Sequence, residues 1–233
     1  IIKRQIKLSF KIHLRAESYL KFSYEDFQLM KSAGIDVIVC GVESGNQKEL
    51  SFFNKIATKQ QSLDAYNYAE KSRFFCNILG YMMFTPITDL KTLEEKVEFL
   101  RNINRGWDFL NMTNRLLVFW GTKIHQELVN MNLIEYTDDV KLGYVNYEFK
   151  SKEVGKLDNI FNKFKIEHPD IMTINNLMYD SLNLVSRLKN PVNLEIYKDK
   201  IDLISDFEEK TNQQMSKLNT QYCDNFQSKI KNI

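Results

Sequence analysis

The run "IDVIVC", Ile35 to Cys40, is apolar at all but one position and rich in β-branched residues, whereas a strand with one face in water would alternate. Such a strand has to be covered on both faces, which calls for helices packed on a sheet, and its flanks supply them. "SYEDFQLMKSAG" opens with Ser23 as an N-cap and Asp26 three residues on, carries Phe27, Met30 and Ala33 at helical spacing, and stops at Gly34. Beyond the run, Thr58 to Gln61 repeats the capping pattern ahead of a helix through about Ser72. Upstream, Ile6, Leu8, Phe10, Ile12 and Leu14 alternate with Lys7, Ser9, Lys11, His13 and Arg15, which predicts a strand with two unlike faces.

The same rhythm continues downstream. "FCNILGYMMF" is a third strand closed by Pro86, Thr92 and Glu95 cap a helix with Leu93, Val97 and Leu100 on one face, and a fourth strand lies within "WDFLNMTNRLLVF". "GTKIHQELVNMNLI" reads as helix. Strands separated by helices imply βαβ units and a parallel sheet, so the chain is α/β over residues 1–134. Residues 135–233 form a mainly helical C-terminal appendage. "GYVNYEF" is a short edge strand near the boundary, and three helices run from Glu153 to Ile233, with breaks near His168-Pro169 and Asn190-Pro191. The last helix spans roughly Leu194 to Gln227.

Composition excludes several function classes. The 32 basic and 30 acidic residues give a net charge of +2, and no basic block is interleaved with aromatics, so no nucleic-acid partner is expected. No apolar run reaches the ~18 residues of a membrane span and no signal segment opens the chain, so the expected setting is cytoplasmic, without membrane association. Cys40, Cys76 and Cys223 are odd in number and far apart, which fits reduced thiols. The chain opens at Ile1 inside a charged and apolar pattern, as a piece of a longer protein would.

In parallel α/β sheets, ligands sit at the carboxyl ends of the strands. "GVESGN" falls there: Gly41 and Gly45 permit positive φ and close approach, so Glu43 and Ser44 can be presented to a ligand, unless the loop merely turns and solvates its carboxylate. Arg15 ends the alternating strand at the same edge and suits a carboxylate ligand, or an ion pair with Glu17, Glu43 or a helix carboxylate. Thr85 and Pro86 stand at the third strand end, and Trp120 at the fourth, where an indole can stack on a flat ring or fill the core. His13 reads as a sheet histidine and His125 as a surface residue on a helix.

The succession "FKIHLRAE", "LMKSAGIDVIVCGVESGNQKEL", "NKIATKQQ", "YMMFTP" and "VFWGTKI" resembles the radical S-adenosylmethionine (radical SAM) enzymes, and within them the cobalamin-binding and anaerobic cyclase-type iron-sulfur oxidoreductases. The resemblance covers about Ile6 to Ile134. It implies strands three to six of a partial (βα)6 TIM-like barrel that binds S-adenosylmethionine across its carboxyl edge. In such enzymes a 4Fe-4S cluster reduces the cofactor and releases a 5′-deoxyadenosyl radical, which abstracts hydrogen from a substrate. The resemblance further implies that Glu43 and Ser44 touch the methionyl or ribose part, that Arg15 approaches the carboxylate, and that Thr85, Pro86 and the segment around Trp120 border the adenine. It admits cobalamin as a second cofactor.

The cluster-binding Cys-x-x-x-Cys-x-x-Cys of these enzymes does not occur in the chain, and Cys40 and Cys76 lie on different strands. A cluster is therefore expected only on an upstream segment or domain, and this chain alone is expected to be inactive. Joined to that segment it would act as an oxidoreductase or transferase. The alternative is a degenerate, non-catalytic half-barrel that serves as an interaction scaffold. A third reading, an unrelated barrel enzyme with Glu43 as general base, lacks a partner acid or base at suitable spacing.

Overall fold

The computed structural model describes residues 1–6, 8–134, 143–189, 193 and 196–233. In chain order the elements are β1 (Phe10–Arg15), α1 (Ala16–Tyr19), α2 (Tyr24–Ser32), β2 (Ile35–Glu43), α3 (Gln47–Phe52), α4 (Lys59–Ser72), β3 (Cys76–Tyr81), α5 (Leu90–Asn102) and α6 (Phe109–Thr113). There follow β4 (Val118–Phe119), α7 (Lys123–Asn130), β5 (Tyr144–Val145), α8 (Lys152–Glu167), α9 (Asp170–Lys189) and α10 (Ile201–Lys231).

β1, β2 and β3 form a three-stranded parallel sheet in that order. The capping boxes at Ser23/Asp26 and Thr58/Gln61 both form, each side chain bonding the other's backbone N–H. Gly34, at φ +98°, ends the α2 segment, and a Cβ there would lie 2.2 Å from the Leu8 carbonyl oxygen. This close passage turns the chain into β2 beside β1.

The sheet has two unlike faces. Ile12 and Leu14 of β1, Ile38, Cys40 and Val42 of β2, and Leu79 and Tyr81 of β3 join one core with residues of α1, α2, α4 and α5. The other face carries Lys11, His13 and Arg15, in register with Val37, Val39 and Gly41 and, across those, with Cys76, Ile78 and Gly80. α9 packs against β2 and β3.

Several expectations are corrected. The strand expected from Ile6 begins at Phe10, whose N–H bonds the Gly34 carbonyl; Ile6 and Leu8 are both 46% exposed, and Lys7 lies outside the described residues. The helix after β3 is capped by Asp89, which accepts from the Thr92 N–H, not by Thr92 and Glu95. In the stretch expected to hold the fourth strand, Val118–Phe119 forms a two-residue strand outside the main sheet, and Arg115 reaches toward that sheet through a single parallel bridge to Phe84. The beginning of the stretch is diverted because Asp108 accepts the Leu110 and Asn111 N–H groups and starts α6 instead. The architecture is thus an open partial barrel, not a closed TIM barrel. Tyr144–Val145 does form a short strand, but it pairs antiparallel with Val118–Phe119, apart from the main sheet.

The three C-terminal helices form as a helical extension, with the break at His168-Pro169 in place and the last helix shifted to Ile201–Lys231. The expected Asn190-Pro191 break and most of the stretch around residue 135 lie outside the described residues. Val154, Leu157, Phe226 and Ile230 enter the same core as Leu79, Phe84 and Leu100. Phe226 lies between Phe161, stacked at 4.6 Å, and Phe84 at 6.0 Å.

Candidate functional site

At the carboxyl end of β2 an irregularity sets Gly41 opposite Gly80 but Glu43 opposite Tyr81. Glu43, and neither neighbouring glycine, takes the left-handed conformation, at φ +71°. The glycines serve approach instead. A Cβ on Gly41 would stand 2.8 Å from Glu43 Oε1, so the missing methyl is the space into which the carboxylate folds back over the strand. Gly45 passes so close to Phe99 that a Cβ would lie 2.5 Å from its side chain, and its N–H donates to the Tyr81 hydroxyl at 3.0 Å.

Glu43 accepts from Lys55 Nζ at 3.0 Å, and the pair stands on the wall of a cleft of about 580 Å³. Phe52, Met82, Leu116 and Glu127 also line this cleft, together with Thr122, which caps α7 through the His125 N–H. A carboxylate, an ammonium and an apolar wall at the carboxyl edge of a parallel sheet can hold a ligand that carries hydroxyl or amine donors, an anionic group and a flat or apolar body.

The other sequence-predicted residues are placed differently. Ser44 is buried and its hydroxyl donates to Glu49 Oε2 at 2.6 Å; Thr85 donates to Glu49 Oε1 at 2.8 Å. Thr88 also donates to Oε1, and Lys96 Nζ meets Oε2 at 2.6 Å. Glu49 and Lys96 are 2% and 0% exposed, so this is an ion pair inside the core. Burial pulls the Lys96 amine below its ordinary range, and the charge and hydrogen bond of Glu49 oppose that fall. The network ties α3, α5, the end of β2 and the loop after β3 into one buried knot.

Pro86 is buried, and its carbonyl accepts from the Lys150 N–H at 2.8 Å. Arg15, 57% exposed, pairs with Glu17 at 2.7 Å, the ion-pair alternative, and does not line the cleft. Trp120 is half-buried and packs on the His125 ring at 4.4 Å. His125 is buried, not a surface residue, because the indole covers it.

Glu49, Lys96, Thr88 and Lys55 were not among the sequence-predicted site residues. A signal existed for two of them: Lys96 interrupts the apolar stripe of Leu93, Val97 and Leu100, and Glu49 sits three residues after Asn46, which caps α3 through the Glu49 N–H. Ser44 also shares the strand parity of Ile38, Cys40 and Val42, which face the core.

The three thiols are buried and separate. Burial pushes Cys40 up to about 12 and Cys76 and Cys223 to about 11, so all are protonated at neutral pH, and among the described residues no group of three or more His, Cys, Asp or Glu is placed to hold a metal. These cysteines do not fit an iron-sulfur cluster. No helix among the described residues is long and apolar enough to cross a membrane.

The fold is shared with solved structures of a radical enzyme. Over 98% of its length the chain is similar to 43% of the cobalamin-dependent S-adenosylmethionine radical enzyme OxsB with aqua-cobalamin bound, at 16% identity and a TM-score of 0.58. The structure of that enzyme with aqua-cobalamin and S-adenosylmethionine bound matches over 97% of this chain and 43% of the other, again at 16% identity, with a TM-score of 0.57. The chain thus spans less than half of the protein it matches, and at this identity the likeness is one of fold. No family model and no curated protein matches the chain.

Proposed function

We propose that this chain is the part of a radical S-adenosylmethionine enzyme that holds S-adenosylmethionine in the cleft beside Glu43, with the 4Fe-4S cluster carried by polypeptide outside it. The observation that carries this reading is the Glu43 carboxylate, folded over Gly41 on the wall of a 580 Å³ cleft, at the edge of a sheet that shares its fold with such an enzyme. Glu43 supplies an acceptor for ribose hydroxyls or the amino group, Lys55 a donor for the carboxylate, and Phe52 with Met82 an apolar wall. Bound there and reduced by a cluster, the cofactor supplies a 5′-deoxyadenosyl radical for hydrogen abstraction, in an oxidoreductase or transferase reaction. Cobalamin is compatible with this reading, and no described residue of this chain is assigned to it.

The commitment of Ser44 and Thr85 to Glu49 narrows the proposed contacts to Glu43 and the cleft around it. Calorimetric titration of S-adenosylmethionine into the chain tests the reading. Saturable binding that Glu43→Gln weakens about tenfold is expected, from the loss of a charge-assisted hydrogen bond. Binding unchanged by that substitution removes Glu43 from the site; no saturable binding at all overturns the reading of this cleft as the cofactor site.

A further inference from the structure

Glu43 is a non-glycine residue at φ +71°, a conformation that an L side chain keeps only where its surroundings hold it. Two clamps do so. On the sheet side, the Glu43 carbonyl accepts from the Met82 N–H at 2.9 Å. On the far side, three successive residues are each tied down. The buried Ser44 hydroxyl donates to Glu49 Oε2 at 2.6 Å and accepts from the Asn46 N–H at 3.1 Å. The Gly45 N–H donates to the Tyr81 hydroxyl, which itself donates to the Lys96 carbonyl at 3.1 Å. Asn46 caps α3 through the Glu49 N–H at 3.0 Å, and its amide donates to Glu95 at 2.6 Å.

The anchor has no slack. Glu49 Oε2 accepts from Ser44 and Lys96, and Oε1 from Thr85 and Thr88, so each carboxylate oxygen already has two donors. The helix that carries Glu49 also serves the cleft. Past the end of α3, the Lys55 N–H donates to the Leu50 carbonyl at 2.9 Å, and Lys55 Nζ meets Glu43 at 3.0 Å. One short helix thus sets Glu49 into the core and Lys55 on the cleft wall, and Glu43 is joined to the first through Ser44 and to the second directly.

We propose that Ser44 is a positioning residue for the cofactor cleft: bonded to the Glu49–Lys96 pair, it fixes the backbone of Glu43 so that the carboxylate stands over Gly41 beside Lys55, without itself touching the cofactor. The inference rests on the reading of this cleft as the S-adenosylmethionine site. Loss of the Ser44 hydroxyl opens one of the two clamps, and Glu43 then relaxes toward negative φ, which carries its carboxylate away from the space above Gly41.

The test is calorimetric titration of S-adenosylmethionine into the full chain and its Ser44→Ala, Glu43→Ala and Ser44→Ala/Glu43→Ala variants. Ser44→Ala alone should weaken binding about three- to tenfold, and Glu43→Ala about tenfold or more. With no carboxylate left to hold, Ser44→Ala should add less than about twofold to the loss already present in Glu43→Ala. A general loosening of the fold would act on both backgrounds alike, so losses that multiply overturn the proposal, as does parent-like affinity in Ser44→Ala. Both of these outcomes, together with weakened binding in Glu43→Ala, leave the cofactor site standing. A parent chain that binds no S-adenosylmethionine overturns the cofactor site and the positioning role together. Should Ser44→Ala fail to fold, Ser44→Cys, with a weaker donor in place of the hydroxyl, takes its place in the same cycle. A loss of about threefold is then expected in the parent background and none in Glu43→Ala.

Discussion

Replacing Lys96 by Met removes the ammonium from a carboxylate that is itself 2% exposed and leaves the hydroxyls of Ser44, Thr85 and Thr88 as its remaining partners. Breaking a buried ion pair from one side typically costs ~3–5 kcal/mol, since the surviving charge stays desolvated. Three hydroxyl donors still face Glu49, which places the loss near the lower end, about 3 kcal/mol. At roughly 2–4 °C per kcal/mol for a chain of this size, the melting temperature should fall by about 6–12 °C. Urea unfolding at pH 7 measures the loss directly, with an unchanged m-value showing that the unfolding transition itself is the same. The double variant Glu49→Gln/Lys96→Met removes both charges while keeping an acceptor for the threonines, and should recover most of the loss. A loss below about 1 kcal/mol in Lys96→Met, or no recovery in the double variant, would refute the account of this pair as a charge-balanced knot.

Two further outcomes are expected. A chain ending at Lys150 loses Val154, Leu157, Phe226 and Ile230 from the core that also holds Leu100 and Phe84, so it should show no cooperative thermal transition; a sharp transition near that of the full chain would mean the helices only decorate the fold. Asp36 of β2 joins the residue before β1, α2 and α9 through Ser9, Lys31 and Arg187. Burial raises its pKa, but the hydrogen bonds of Lys31 and Ser9 and the charges of Lys31 and Arg187 outweigh this and hold it below the ordinary value. A depressed carboxylate stabilises the fold above its unfolded pKa of ~3.9, and that contribution is lost as pH falls through the lower folded value. Asp36→Asn should therefore be less stable than the parent at pH 7, with the difference shrinking as the pH falls through the lower folded pKa; a pH-independent difference in the two urea midpoints would contradict the linkage.

The features legible in the sequence are those whose bonds are short along the chain. The boxes at Ser23 and Thr58 join residues three apart, Gly34 stops a helix through its own φ, and Pro169 breaks one through its ring, so each is written where it acts. The helix starts at Asp89 and not at Thr92 because Asp89, three residues earlier, offers it a carboxylate cap. Whether a strand forms after α6 is not local at all: a strand needs a partner, and here the chain keeps only the bridge from Arg115 to Phe84 before turning to pair with Tyr144 and Val145.

The candidate site divides the same way. "GVESGN" marks the strand end, but the direction of its side chains is decided by residues far off in sequence. Ser44 and Thr85 turn inward because Glu49 lies beneath them, and Glu49 can be buried there because Lys96, 47 residues away, meets it with the opposite charge. Glu43 is left facing the cleft, over a glycine and beside Lys55. Caps and turns follow from the chain's own covalent spacing, whereas the burial of a charge depends on a partner that only the folded structure brings within reach.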